Sequence, residues 1–215
     1  WRFGDRIAEE ANMWLAEIGT RLRLRGNPGI NSFITTLDEP HAILTRTNAG
    51  ALLSVMKMLD ADRKVAMVGG GTALSRLAEA AASLQEGKGT SHPELYVFPD
   101  WAAVQEYSHE ESGKDLRTFV GLIDKHGPAT VIAATNALVP ESRADTVVST
   151  AHSSKGRQWL TVQVGDDFSA PKRDEDIPRT EAMVNYVAIT RAQHELDRGS
   201  LAWIDDYRER RSVLN

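Results

Sequence analysis

Cysteine is absent from the 215 residues, which excludes a disulfide scaffold, thiol catalysis and cysteine-ligated zinc. No apolar run approaches the ~18 residues that a membrane-spanning helix requires. Nothing near the start has the make-up of a secretory signal. Positive charge is in deficit, with 25 Lys and Arg against 30 Asp and Glu and a net charge of −5. A domain held to nucleic acid by bulk electrostatics is usually basic, so any such contact must come from a local surface. The six histidines show no metal-ligand spacing, and no internal repeat or low-complexity tract is present. A reducing, cytoplasmic setting is the expectation. The chain begins at Trp1 rather than methionine, which predicts a fragment or a processed product.

What is present is a chain with 41% hydrophobic and 26% charged residues, enough for one sizeable core and a small second lobe. Residues 5–18 predict a helix, with Ile7, Ala11, Trp14, Leu15 and Ile18 on one stripe and Asp5 as its cap. Ala42, Ile43 and Leu44 form a short apolar run. A helix then carries Ala51, Leu52, Val55, Met56 and Leu59, with Asn48 as N-cap. Val65 to Val68 predicts a buried strand closed by Gly69, Gly70 and Gly71, with Thr72 capping the next helix. Strand, tight turn and helix in succession predict an α/β layered fold.

After Leu84 the composition changes. A polar linker at 86–91 leads to two predicted helices, the second stopped at Gly127-Pro128. The α/β pattern resumes with a strand at 146–149, an alternating half-buried strand at 159–165 and a helix at 180–190. The predicted organisation is 1–85 and 140–215 as two parts of one domain, with 86–139 as a small helical insertion.

Several motifs fail on inspection. Gly69-Gly70-Gly71-Thr72 lacks the third glycine of a dinucleotide fingerprint, because position 74 is Leu74. Around Gly87-Lys88 the phosphate-loop pattern breaks at Gly89, where Ser or Thr is needed, and at Ala82, where the leading glycine belongs. Asp38-Glu39 runs straight into Pro40 and reads as a solvated turn. Ser149, His152 and Asp166 have no nucleophile elbow to make them a triad. Asp166-Asp167 at a strand end reads as solvated carboxylates rather than a cation site, and no metal site is assigned.

Three segments remain. The loop 149–159 gathers hydroxyls, His152, Lys155 and Gly156 between two predicted strands. Its donors suit phosphate oxygens or a nucleic-acid backbone, and a plain polar connector fits as well. The helix ending at Arg191 delivers a planar guanidinium that can clamp two phosphoryl oxygens, although a C-terminal arginine also simply complements the helix dipole. Trp1-Arg2 sets an aromatic face beside a cation, where Trp1 is otherwise an exposed end.

Together and in this order the segments resemble the UvrD/Rep branch of superfamily 1 DNA helicases. Residues 1–12 look like motif IV, 149–159 like motif V and 181–192 like motif VI. Ile43 to Ala49 resembles the segment that ends a core strand and touches single-stranded DNA, and Val68-Gly69-Gly70 a paired-glycine turn. Residues 162–168 resemble the F-box DNA helicase subgroup. The fold implied is the second RecA-like domain, a parallel sheet flanked by helices, here with the small helical insertion.

The resemblance implies that Arg2 and Arg191 contact the γ-phosphate of ATP as arginine fingers. Trp1 would stack on adenine. Gly156 lies in the nucleotide-side loop, and Gln158 stands where the family has a ribose-binding glutamate. Arg46, Thr47, Asn48, Thr150, His152 and Lys155 would face single-stranded DNA. Mg is implied with its ligands outside this chain, and an N-terminal RecA-like domain of the same protein would supply the phosphate loop. Movement 3′ to 5′ is implied, with no membrane partner and no ATP hydrolysis by this chain alone. The competing classes are a non-catalytic DNA- or partner-binding module, a nuclease-linked recombination enzyme and, from the triple glycine only, a nucleotide-cofactor oxidoreductase.

Overall fold

The computed structural model describes residues 2–214. In chain order the elements are α1 (Asp5–Glu17), β1 (Phe33–Ile34), β2 (Ala42–Thr45), α2 (Asn48–Asp60), β3 (Val65–Met67) and α3 (Thr72–Gln85). There follow α4 (Trp101–His109), α5 (Lys114–His126), α6 (Pro128–Asn136), β4 (Thr146–Thr150), β5 (Trp159–Val164), α7 (Arg179–Ile189), β6 (Ala192–Asp197) and α8 (Ile204–Leu214). The chain divides into two compact units, one of 1–47 with 145–215 and one of 48–144. The predicted insertion, 86–139, lies inside the second unit, which also takes in α2, β3 and α3.

The first unit is a parallel sheet with strand order β1-β6-β5-β2-β4, the α/β class that the sequence predicts. β2 sits between β4 and β5, with Ala42 level with both Val147 and Val162. A strand paired on both sides and covered on both faces reads as a continuous apolar run, and all four residues of β2 are buried. β5 departs from its predicted alternation. Val162 and Val164 are buried, but Leu160 is half exposed, because β5 begins before the level at which β2 starts to cover it.

α1 buries Ile7, Ala8, Ala11, Trp14 and Leu15, one stripe at helical spacing. This stripe meets Leu44, Val162, Val164 and Leu196 of the sheet and Ala182, Ala188 and Ile189 of α7 in a single core. Asp5 does not cap α1. Gly4 holds the N-cap position without a side-chain bond, and the Asp5 carboxylate accepts the Gly26 N–H at 3.0 Å. The core includes a polar cost: Trp14 is fully buried with its Nε1–H unpartnered, as is Oε2 of Glu10 one turn before. An orphaned buried donor costs about 1–3 kcal/mol.

The second unit packs Leu52, Leu74, Leu84, Leu95, Trp101, Val104, Phe119, Ile123 and Val131 into its own core. Thr72 is the first residue of α3 rather than its cap, which is Gly71. Gly127 ends α5 as predicted, but Pro128 then opens a further helix, α6. Proline suits the first helical position because its missing N–H would have no intrahelical partner there.

Candidate functional site

Parallel pairing gives the first unit's sheet two chemically different edges. At the carboxyl edge, β2 runs out into Arg46-Thr47 beside the end of β4, with Thr45 level with Thr150. The end of β5 lies equally close, and Gly165 N–H donates to Leu44 O at 2.8 Å. A Cβ on Gly165 would come within 3.0 Å of the Thr45 methyl, so glycine lets the chain pass. Two residues later the Asp167 carboxylate receives three donors. Arg46 N–H binds Oδ1 at 2.8 Å, and Thr47 N–H and Oγ1 bind Oδ2 at 2.8 and 2.9 Å. Asp167 is therefore not the solvated carboxylate that the sequence suggests.

The Arg46 side chain is engaged as well. Its Nε and one terminal nitrogen donate to the two carboxylate oxygens of Glu181, at 2.9 and 2.8 Å. This is the fork-on-fork geometry that makes arginine–carboxylate pairs strong and directional. Arg46 and Thr47 thus reach the surface as a turn whose backbone and charge are both held by carboxylates. Thr150 is held too. Its hydroxyl accepts the Ser153 N–H at 3.2 Å and donates to Ser153 Oγ at 3.0 Å. Asn48 is exposed and opens α2, in the second unit.

Residues 151–158 carry the chain from the end of β4 to the start of β5, hence from one edge of the sheet to the other. The loop is built rather than loose. Ser154 is fully buried, its hydroxyl donates to Ala151 O at 2.8 Å, and Arg157 N–H closes a turn on Ser154 O at 3.0 Å. Within that turn Gly156 has φ +84°, a conformation that strains any residue with a Cβ. His152, Lys155, Gly156 and Gln158 are exposed.

At the amino edge, Trp159 N–H donates to Arg191 O at 3.0 Å, as β5 and β6 begin side by side. Arg191 follows the last turn of α7. Its guanidinium donates to Val187 O at 3.0 Å, Arg157 O at 3.2 Å and Thr190 Oγ1 at 2.9 Å. Among the described residues it has no carboxylate partner. Burial disfavours its cation most, Tyr186 offsets part of this, and the like charge of Arg2 adds a smaller unfavourable influence. Arginine does not lose its proton in proteins. The outcome is a half-buried positive charge held by neutral oxygens, which favours an anion. Trp1 lies outside the described residues.

The structure therefore brings Arg46, Thr47 and Thr150 together at one edge, and Arg2 and Arg191 into one electrostatic neighbourhood at the other. α7 serves both edges, with Glu181 in its first turn and Arg191 just past its end, about 15 Å apart along a helix. Asp167 and Glu181 carry no role in the sequence reading. The usable signal was a glycine followed by carboxylates directly after a predicted strand. Among the described residues no group of three His, Asp or Glu is placed to hold a metal ion, and no helix is long and apolar enough to cross a membrane.

The chain is distantly similar to a DNA helicase. It is 25% identical to F-box DNA helicase protein 1 of Schizosaccharomyces pombe over 229 aligned residues, which cover 91% of this chain and 26% of that protein. The chain thus spans about a quarter of the length of the curated relative it matches. No family model matches the sequence.

Proposed function

We infer that the chain is the second RecA-like half of an ATP-driven DNA translocase of the UvrD/Rep type, moving 3′ to 5′ as the resemblance implies. The observation that carries this is Arg191, a guanidinium held by carbonyl and hydroxyl oxygens with no carboxylate partner among the described residues, in a chain that aligns along most of its length with a helicase. A site with excess positive charge and pre-placed donors suits the charge that develops on a transferring phosphoryl group.

ATP fits these residues only in part. Arg2 and Arg191 would meet the γ-phosphate, Gly156 and Gln158 would border the nucleotide, and Trp1 would stack on the base. ATP supplies the phosphoryl group whose transfer drives movement. This sequence has no phosphate loop and no magnesium-binding cluster, so an N-terminal RecA-like domain of the same polypeptide would provide both. Arg46, Thr47, Asn48, Thr150, His152 and Lys155 would hold the single-stranded DNA backbone. Glu181 and Asp167 keep the Arg46-Thr47 turn in shape, and the loop 151–158 joins this turn to the Arg191 edge.

The test is to combine fluorescence anisotropy on labelled single-stranded DNA with steady-state ATP hydrolysis. The chain by itself is expected to bind DNA with little sequence preference and strong salt dependence, and to hydrolyse no ATP. DNA-stimulated hydrolysis by this chain alone would overturn the half-motor reading. A retained RecA-like fold used only to grip DNA or a partner is separated by the longer polypeptide, which in that case lacks ATPase activity.

A further inference from the structure

We propose that residues 21–25 form a second anchoring track for the phosphate backbone of single-stranded nucleic acid, outside the segments that resemble helicase motifs. The inference rests on the translocase reading for the identity of its ligand, but on separate residues for its evidence.

The segment after α1 reads Arg21-Leu22-Arg23-Leu24-Arg25. No acidic residue occurs between Glu17 and Asp38, in a chain whose net charge is −5. All three arginines are exposed, and none has a carboxylate partner among the described residues. Arg23 donates only to the Thr20 and Leu22 carbonyls, at 2.9 and 2.7 Å. Positive charge is therefore concentrated on one short segment and left unneutralised.

The segment is also fixed in place. The Asn12 side chain of α1 grips the Leu24 backbone at both groups, donating to Leu24 O at 2.9 Å and accepting Leu24 N–H at 2.8 Å. One amide can satisfy both backbone groups of a residue only where they point the same way, as in a strand. Leu24 is buried, so by strand alternation Arg23 and Arg25 lie on the opposite, outer side. Next, Gly26 N–H binds Asp5 Oδ1 at 3.0 Å, and Asn27 N–H binds Phe3 O at 2.8 Å. A Cβ on Gly26 would come within 2.3 Å of Asp5 N, so the backbone lies directly against the start of α1. The arginines thus stand on a clamped ribbon that ends beside Arg2-Phe3.

Alternate residues of an extended chain are about 6.6–6.8 Å apart, comparable to successive phosphates on an extended single strand. Arginine's planar fork suits phosphate oxygens, and a clamped backbone lowers the ordering cost of binding.

The experiment compares the unsubstituted chain with an R21Q/R23Q/R25Q variant by anisotropy on a labelled oligo-dT, with NaCl varied from about 50 to 200 mM. Three lost phosphate contacts on a single strand are expected to reduce the slope of log affinity against log salt by about 2, and affinity at the lowest salt by tenfold or more. An R21K/R23K/R25K variant is expected to keep most of the slope, which separates charge from shape. Circular dichroism and the unfolding midpoint check that all three proteins are folded. An unchanged slope in the glutamine variant overturns the track, as does loss of binding to an acidic protein with DNA binding intact. If Thr47→Ala weakens DNA binding while the glutamine variant does not, the translocase reading survives without the track. Absence of DNA binding by the unsubstituted chain removes both.

Discussion

Arg46 and Arg191 lie at opposite edges of one parallel sheet, and their surroundings are opposites too. Arg46 places two nitrogens on the two oxygens of Glu181, while Asp167 holds the backbone beneath it. Arg191 is held by carbonyl and hydroxyl oxygens and has no carboxylate partner among the described residues. Neutralising a cation with a bidentate carboxylate gives orientation and lowers local potential. Withholding the carboxylate keeps the potential for an incoming anion. The carboxyl edge is thus built for shape and the amino edge for charge, and α7 carries a deciding residue for each.

The comparison breaks most readily at Arg191. If the chain belongs to a longer polypeptide with a phosphate loop, as the translocase reading requires, Arg191→Ala is expected to lower ATP turnover by roughly 10³-fold or more, with single-stranded DNA affinity within about twofold. Parallel loss of both in rate and anisotropy measurements would instead make Arg191 a structural residue. Asp167→Ala comes next, since it removes both acceptor oxygens from three donors. It is expected to cost about 2 kcal/mol in urea unfolding and to weaken DNA binding. An unchanged unfolding midpoint would show that water replaces the carboxylate freely.

Glu181→Gln is expected to be milder for stability, under about 1 kcal/mol, because the pair is only half-buried. It removes the Glu181 counter-charge from Arg46, so DNA affinity at low salt should rise a few-fold with a steeper salt slope. A fall in affinity would mean that Glu181's positioning of Arg46 outweighs its neutralisation.

Arg198 pairs with two carboxylates, Asp205 at 2.7 Å and Glu10 at 3.4 Å. Burial raises the Glu10 carboxyl above its ordinary 4.5, outweighing the attraction of Arg198. A carboxyl with a raised folded-state pKa stabilises the fold fully below the unfolded value, and that contribution is lost as pH rises through the folded one. Glu10→Gln should therefore gain stability relative to the parent as pH rises from 4.5. Urea midpoints across pH test this, and a constant difference would refute it.

How far these contrasts were legible in the sequence depends on the range of the interactions. The stripe of α1, the apolar run of β2, and the hydroxyl-rich loop after β4 are local patterns that solvent exclusion imposes on the chain. They predicted elements within a few residues of those found. β6 was not legible: Ala192 and Leu196 are buried within the sequence Ala-Gln-His-Glu-Leu-Asp, and the strand exists through its parallel pairing with β1 and β5. α6 was hidden because Pro128 both follows one helix and starts another.

For the candidate site, the sequence by itself determined which side chains are available: Arg2, Arg46, Arg191, and a hydroxyl-rich loop ending near Gln158. It also determined that cysteine, a phosphate loop and a membrane-spanning run are absent. Only the tertiary structure decided which arginine is neutralised. Glu181 lies 135 positions from Arg46 and Asp167 lies 121, and no local periodicity reports a pairing created when strand ends are brought level. A charge's chemistry depends on its neighbours within a few ångströms, and in a parallel sheet those neighbours come from distant parts of the chain.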